Sequence, residues 1–119
     1  MATVRVRQHV NPLGIRFREP ITSPDWSAIY SNVSQPLHLD IGSAHGHFLL
    51  GMARECSGWN FLGLEIREPL VMSTNEQRDL LGLTNLYFLF CNANASIGPL
   101  LGSLPTGLLQ RVTIQFPDP

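Results

Sequence analysis

The chain has 119 residues, of which 44% are hydrophobic and 14% are charged. This length and composition predict one folded domain with a sizeable core and argue against extensive disorder. The formal net charge of -1 excludes a globally basic surface, so the positive charge that a nucleic acid needs would have to be local or lie outside these residues.

Cysteine usage and hydropathy indicate the cellular compartment. Cys56 and Cys91 lie far apart without CxxC spacing, which favours buried thiols over a disulfide. No apolar run approaches the roughly 20 residues that a membrane span requires, and the N terminus lacks a hydrophobic signal core. We therefore expect a cytoplasmic protein with no membrane partner. The histidine spacing matches no familiar metal-ligand set, so no metal is expected.

Residues 1–35 are predicted to form an irregular N-terminal arm. The segment contains three prolines and half of the eight basic residues, and Trp26 and Tyr30 are expected to anchor its end against the core. It is either a solvated leader or a strip in which arginines contact nucleic-acid phosphates. The arginines are Arg5, Arg7, Arg16 and Arg18.

Residues 36–119 alternate between strand and helix patterns. Apolar runs predict strands over 37–41, 60–66, 86–91 and 111–116. Helical spacing and stop signals predict helices over 46–56 and 69–81, and a short helix over 97–101 that is broken by Gly98-Pro99. This order predicts an α/β fold: a Rossmann-like parallel sheet with helices on both faces.

Polar side chains stand where each predicted strand ends. They are Asp40, Glu65, Asn92 and Asp118. Because a parallel sheet binds ligands beyond the carboxyl ends of its strands, we expect these four side chains to share one rim.

The turn after the first strand has the composition of a cofactor loop. The small residues Gly42, Ala44 and Gly46 permit close backbone approach and positive φ angles. Glu65 follows the loop by about 20 residues, the sequence spacing at which a carboxylate accepts ribose hydroxyls in nucleotide-binding folds. A dinucleotide is disfavoured because Asp40 would face its pyrophosphate, whereas the ammonium group of S-adenosylmethionine suits an acidic entrance. Alternatively, Asp40 caps the loop by accepting backbone N–H bonds.

The other two rim residues also have two interpretations each. The Asn92 amide can both donate to and accept from an adenine edge, or Asn92 is simply a turn residue. Asp118 lies between two prolines, which stiffen the backbone around it. Such a carboxylate could orient guanine through N1–H and the N2 amine while the nucleophilic N7 meets a methyl group, or it belongs to an ordinary proline-rich turn.

At these residues the chain resembles the bacterial tRNA (guanine-N7) methyltransferase family, a class I S-adenosylmethionine-dependent group. The resemblance covers nearly the whole chain and is most specific at Glu65-Ile66-Arg67 and Phe116-Pro117-Asp118-Pro119. It implies that Asp40, Glu65 and Asn92, with the Gly42 turn, bind S-adenosylmethionine. It also implies that Asp118 is catalytic and that Arg67 shapes the substrate side.

The implied reaction is methyl transfer from S-adenosylmethionine to guanine N7 in the tRNA variable loop, by a monomer or homodimer. Family members commonly have Glu where Asp40 stands. They continue beyond the Phe-Pro-Asp-Pro motif, so we expect this chain to be a truncated part, with an unpaired sheet edge, exposed apolar surface and poor stability in isolation. Two alternatives stay open: a non-catalytic S-adenosylmethionine- or RNA-binding fragment, and an NAD-binding half-domain.

Overall fold

The computed structural model describes residues 20–115. The four arginines predicted for the N-terminal arm, and Asp118, lie outside the described residues. The helices are α1 (Trp26–Ile29), α2 (His47–Glu55), α3 (Glu68–Leu80) and α4 (Ala93–Ser103). The strands are β1 (Leu37–Ile41), β2 (Asn60–Glu65), β3 (Leu86–Phe90) and β4 (Leu109–Ile114).

The four strands form one parallel sheet in the order β3-β2-β1-β4. Every residue of β2 is buried, and so are the first four residues of β1. This burial explains why the two strands read as continuous apolar runs. Because parallel neighbours need a crossover connection, a helix follows each of the first three strands. The α/β fold class is therefore confirmed.

Helices cover both faces of the sheet, as the sequence predicted. On one face, Leu39 and Leu64 pack with Trp26 and with Leu100 of α4. On the other face, Phe61 and Phe88 pack with Leu49 and Leu50 of α2 and with Val71 of α3. The side chains of β2 and β3 alternate between these two clusters, as the two-residue repeat of a strand requires.

Part of the predicted N-terminal arm packs into the core. Asp25 caps α1 by accepting a hydrogen bond from the Ser27 N–H. The Trp26 indole N–H donates to Ser103 Oγ at 2.9 Å, and the Tyr30 hydroxyl donates to the Phe61 carbonyl oxygen at 2.8 Å. Trp26 and Tyr30 are both buried, so the predicted anchoring is confirmed. The boundary between residues 35 and 36 stays a prediction.

Two elements differ from the sequence prediction by two or more residues, and the other predicted strands and helices agree within one residue at each end. The fourth helix runs over Ala93–Ser103 with Pro99 inside it, rather than over 97–101. The Asn92 side chain starts this helix early by accepting the Asn94 N–H at 3.1 Å, and Gly98-Pro99 does not break it. The fourth strand begins at Leu109, two residues before the predicted start.

Strand β4 lies at one edge of the sheet and is the least buried strand. Val112 and Ile114 are 46% and 55% exposed on the face that α4 covers elsewhere. The expected exposed apolar surface beside the fourth strand is therefore present. Poor stability in isolation stays a prediction.

Candidate functional site

The turn between β1 and α2 has an unusual backbone. Gly42, Ala44 and Gly46 all have positive φ angles, at 75°, 51° and 73°. The turn is tied to the neighbouring strand because the N–H groups of Gly42 and Ser43 both donate to the Leu64 carbonyl oxygen, at 2.8 and 3.1 Å. The prediction that the small residues permit positive φ is confirmed. The left-handed Ala44 has a Cβ, so its conformation must be held by the surroundings.

Two glycines of the turn are required by space as well as by backbone angle. A Cβ on Gly42 would lie 3.1 Å from the backbone oxygen of Gln115, which follows β4. A Cβ on Gly46 would lie 2.8 Å from Phe88 Cζ and from Thr74 Cγ2. Both distances are shorter than ordinary van der Waals contact, so a side chain at either position would displace the turn or its neighbours.

Asp40 is buried at the end of β1, under the turn, with 1% of its surface exposed. Its Oδ1 accepts hydrogen bonds from the Thr113 hydroxyl at 2.5 Å and from the Gln115 side-chain amide at 3.0 Å. Within residues 20–115, these two side chains are the groups that donate hydrogen bonds to Asp40, and no backbone N–H of the turn does so. The carboxylate therefore joins β1 to β4 and to the segment that leads toward Asp118.

Glu65 is buried at the end of β2 and has four hydrogen-bond donors. Oε1 accepts from the Ala44 N–H at 2.9 Å and from Arg67 Nη2 at 3.2 Å. Oε2 accepts from the Arg67 N–H and from Arg67 Nε, both at 2.9 Å. The hydrogen bond from the Ala44 N–H to Glu65 is one of the contacts that hold Ala44 in its left-handed conformation.

The balance of forces on Glu65 keeps it ionised. Burial acts to raise its pKa, but the hydrogen bonds and positive charge of Arg67, with the Ala44 N–H, outweigh burial and lower the pKa below its ordinary value. The same ion pair raises the pKa of Arg67. The Arg67 side chain is 33% exposed, against 3% for Glu65, so the arginine side chain reaches water while the glutamate side chain does not.

Asn92 follows β3 and serves as the N-cap of α4. It is half-buried, and its side-chain oxygen accepts the Asn94 N–H. Its backbone oxygen accepts from the N–H groups of Ala95 and Ser96, at 3.1 and 3.0 Å. The side-chain cap gives Asn92 a structural role at the start of α4, and the adenine contact that the sequence offered as an alternative stays a prediction.

The structure joins three of the predicted site residues through the turn and the strand ends. Gly42 contacts the end of β4, Glu65 holds Ala44, and Asp40 lies beneath. Sequence reasoning missed Thr113 and Gln115 as partners of Asp40. Parallel pairing places Thr113 beside Asp40, but that pairing becomes visible only once β4 is known to lie next to β1.

The remaining candidate groups are structural in character. Cys91 is a buried free thiol, and burial raises its pKa to about 11 despite a hydrogen bond with Ser96. Cys56 is free and half-buried. Within residues 20–115, no cluster of three or more His, Cys, Asp or Glu is suitable for a metal ion, and no helix is long and apolar enough to cross a membrane.

The sheet order, the glycine-containing turn after β1 and the carboxylate that ends β2 define a Rossmann-like α/β protein. The family follows from the sequence: the chain belongs to the family described as "Putative methyltransferase", whose profile matches residues 34–119. The family resemblance stated from the sequence is thereby confirmed.

Curated relatives carry a more specific name. The chain is 63% identical over 116 residues to the tRNA (guanine-N(7)-)-methyltransferase of Trichormus variabilis, covering 98% of this chain and 54% of that protein. It is 60% identical over 119 residues to the protein of the same name from Synechococcus elongatus, covering 100% of this chain and 56% of that protein. The chain thus spans about half the length of these relatives.

Solved structures share the fold at low sequence identity. The structure of M. capricolum TrmK in complex with S-adenosyl-homocysteine has a TM-score of 0.53 at 15% identity, over 69% of this chain and 35% of that one. The structure of WbdD has a TM-score of 0.51 at 19% identity, over 72% of this chain and 19% of that one. These likenesses support the fold and nothing more specific.

Proposed function

We propose that this chain forms the cofactor-binding part of an S-adenosylmethionine-dependent tRNA (guanine-N7) methyltransferase. The observation that carries the proposal is the identity of 63% and 60% to two proteins of that name, over almost the whole chain. The turn and the two buried carboxylates supply a site whose chemistry suits the cofactor. The acceptor is guanine in the tRNA variable loop, and the compartment is the cytoplasm.

The carboxylates beside the turn suit a cofactor that carries a positive charge and no phosphate. The two described residues that donate to Asp40, Thr113 and Gln115, both bind its Oδ1. We therefore assign Oδ2 as the oxygen that would accept from the ammonium group of S-adenosylmethionine. A pyrophosphate above the same turn would be repelled by that carboxylate. This charge argument disfavours the NAD-binding alternative.

Glu65 is proposed to accept the ribose hydroxyls, and this requires a rearrangement. Both of its oxygens already accept two hydrogen bonds, one from a backbone N–H and one from the Arg67 guanidinium. The backbone donors are fixed, whereas the Arg67 side chain is one-third exposed and free to reach water. We therefore expect Arg67 to give up its side-chain bonds when ribose binds, while Ala44 N–H keeps the carboxylate in place.

Asn92 and Asp118 complete the proposed assignment. Asn92 would meet the adenine edge from the start of α4, next to the carboxyl end of β3. Asp118, three residues beyond Gln115, would accept hydrogen bonds from guanine and direct N7 toward the methyl donor. Bound S-adenosylmethionine supplies an electrophilic methyl group on a sulfonium, so Asp118 need only orient the base.

The domain organisation is also a proposal. Residues 1–35 would form an arm that contributes arginines to the tRNA contact, and 36–119 the first part of the methyltransferase domain. Monomer and homodimer are both compatible with this arrangement.

The test is nucleoside mass spectrometry of tRNA incubated with S-adenosylmethionine and the protein expressed from the complete coding sequence. We expect 7-methylguanosine to accumulate, and Asp118→Asn to reduce its rate by at least about 100-fold, because orientation carries the reaction. Asp79→Asn is the matched control, since Asp79 is an exposed helix residue that pairs with Arg78. No gain of 7-methylguanosine would refute the proposal.

A second candidate follows from the share of the relatives that the chain covers, which is 54% and 56%. The 119 residues alone would then bind S-adenosylmethionine without turnover. Calorimetric binding of the cofactor to this chain, with no methyl transfer to tRNA, would support the binding-only interpretation for the isolated chain.

A further inference from the structure

A chain of buried polar groups runs beneath the turn, from β1 to β4 and back. His38 Nε2 lies 3.0 Å from Thr113 Oγ1, and Thr113 Oγ1 lies 2.5 Å from Asp40 Oδ1. His38 and Asp40 are each only 1% exposed. They are two residues apart on β1, so both side chains point to the same face of the sheet. Thr113, which pairs with Asp40 on the neighbouring strand β4, contacts both side chains on that face.

Counting protons fixes the direction of these hydrogen bonds. The Thr113 hydroxyl has one hydrogen, and Asp40 Oδ1 accepts both this hydroxyl and the Gln115 amide. The hydroxyl must therefore receive a hydrogen bond from His38, which requires the proton to be on Nε2. His38 Nδ1 is left as a bare acceptor, and it has no hydrogen-bond partner among the described residues.

A buried nitrogen without a partner has a cost that an apolar residue at position 38 would avoid. The His38 ring is packed against Phe48 and Phe61, with ring centroids 5.7 and 5.5 Å apart, so the site would accommodate an apolar side chain. What an apolar residue could not supply is the Nε2–H donor to Thr113. The polar chain therefore has a role other than filling the core.

We propose that His38, through its Nε2–H, and Thr113, through its hydroxyl, are positioning residues that fix the Asp40 carboxylate for the cofactor ammonium group. This inference depends on the proposed function. Thr113 and Gln115 hold Oδ1 on the β4 side, which directs Oδ2 away from β4, and His38 holds the Thr113 hydroxyl in the donating orientation. Neither residue touches the cofactor in this account.

The protonation of His38 agrees with this arrangement. Burial lowers its pKa, the positive charge of Arg111 lowers it further, and Asp40 raises it by less than these two together. The imidazole is therefore neutral near pH 7, with one N–H to donate.

Calorimetric titration of the 119-residue chain with S-adenosylmethionine tests the proposal. Thr113→Val keeps the branched shape and removes the hydroxyl, and we expect it to raise the Kd about tenfold, because a carboxylate loses the donor that orients it. Thr113→Ser restores the hydroxyl and should bind within about twofold of the original chain. His38→Gln retains an N–H donor and should bind better than His38→Leu.

The pair is also tested for coupling. If His38 acts through Thr113, adding His38→Leu to Thr113→Val should change the Kd by less than about twofold, although His38→Leu alone weakens binding. Independent, multiplicative effects of the two substitutions would overturn the proposal. Urea unfolding of each variant shows whether a weakened variant is still folded.

A measurement on the unsubstituted chain covers the case in which a variant fails to fold. Two-bond proton–nitrogen correlation spectra of the four histidines report which ring nitrogen carries the proton, and the His38 signals are assigned by elimination after His9, His45 and His47 are replaced by glutamine in turn. We expect the Nε2–H tautomer for His38, and the Nδ1–H tautomer would overturn the proposal. If the unsubstituted chain does not bind S-adenosylmethionine, the proposed function fails and this role with it. Undiminished binding by Thr113→Val overturns only the positioning role.

Discussion

Replacing Glu65 by glutamine changes one oxygen into an amino group and leaves the shape of the side chain almost unchanged. Each carboxylate oxygen accepts one backbone N–H and one guanidinium N–H. Whichever way the new amide is turned, its amino group faces two donors and accepts from neither. One backbone donor, from Ala44 or Arg67, therefore loses its acceptor at a partly buried position, together with one charged hydrogen bond.

The magnitude follows from these two losses. A hydrogen bond that involves a charged group contributes about 1.5 to 3 kcal/mol, and a buried donor left without a partner costs about 1 to 3 kcal/mol. Arg67 recovers part of this by contact with water, because its side chain is 33% exposed. We therefore expect Glu65→Gln to lower the free energy of unfolding by about 3 kcal/mol.

Urea unfolding followed by circular dichroism measures this change. With a slope of about 1.5 kcal/mol per molar urea, typical of a small domain, the midpoint should fall by about 2 M. Arg67→Met is the matched comparison: it keeps the aliphatic stem and both backbone donors but leaves Glu65 with fewer partners, so we expect a smaller loss. A Glu65→Gln chain as stable as the original would refute the account of this ion pair.

The pH dependence gives an independent check. The pKa of Glu65 is lowered in the folded chain, so the unfolded chain binds the proton more readily. The stabilisation is complete above the ordinary glutamate pKa and is lost as the pH falls through the lower, folded-state value. We expect the stabilities of the original chain and of Glu65→Gln to converge in that acid range, and a constant difference would contradict the assignment.

Two further substitutions test the turn and the hydrogen bond from Tyr30 to β2 by the same unfolding measurement. Gly46→Ala should lower the free energy of unfolding by about 2 to 4 kcal/mol, because the new methyl group would lie 2.8 Å from Phe88 Cζ and the residue has a positive φ. Gly51→Ala lies inside α2, the helix that Gly46 precedes, and has nothing within 4 Å of the new Cβ; it is the control and should raise stability by up to about 1 kcal/mol. Tyr30→Phe removes the hydroxyl that donates to the Phe61 carbonyl and should cost about 1 to 2 kcal/mol; no change would mean that this bond is not stabilising.

The strands and the turn after β1 were predictable because their signals are local. β1 and β2 are buried on both faces, so their apolar runs end visibly at Asp40-Ile41 and at Glu65. Gly42 and Gly46 indicated a turn with positive φ angles, and both residues have them. The start and end of α3 followed from Pro69 in its first turn and Gly82 beyond its last.

What the sequence did not predict depends on pairing between distant segments. Asp40 and Thr113 are 73 residues apart, and their hydrogen bond exists because β4 pairs with β1 in a register that places Thr113 beside Asp40. The role of His38 was missed for the same reason, since it acts through Thr113. Local reading also shortened α4, because Gly98-Pro99 looks like a break whereas capping by Asn92 begins the helix earlier.

The Glu65–Arg67 pair shows a different limit. The sequence identified Glu65 by its position after a strand and assigned it to a ligand. The structure shows that Arg67, only two residues on, returns its guanidinium to the same carboxylate. Proximity in sequence did not indicate this contact, because it depends on the backbone turn between β2 and α3.

Calorimetric titration of the 119-residue chain with S-adenosylmethionine tests the central claim most directly: that the β1–α2 turn, Asp40 and Glu65 form a cofactor site. The account predicts saturable binding with one equivalent per chain, weakened at least about tenfold in Asp40→Asn because the ammonium group loses its counter-charge. A chain that unfolds cooperatively in urea, and is therefore folded, but shows no binding would contradict the account.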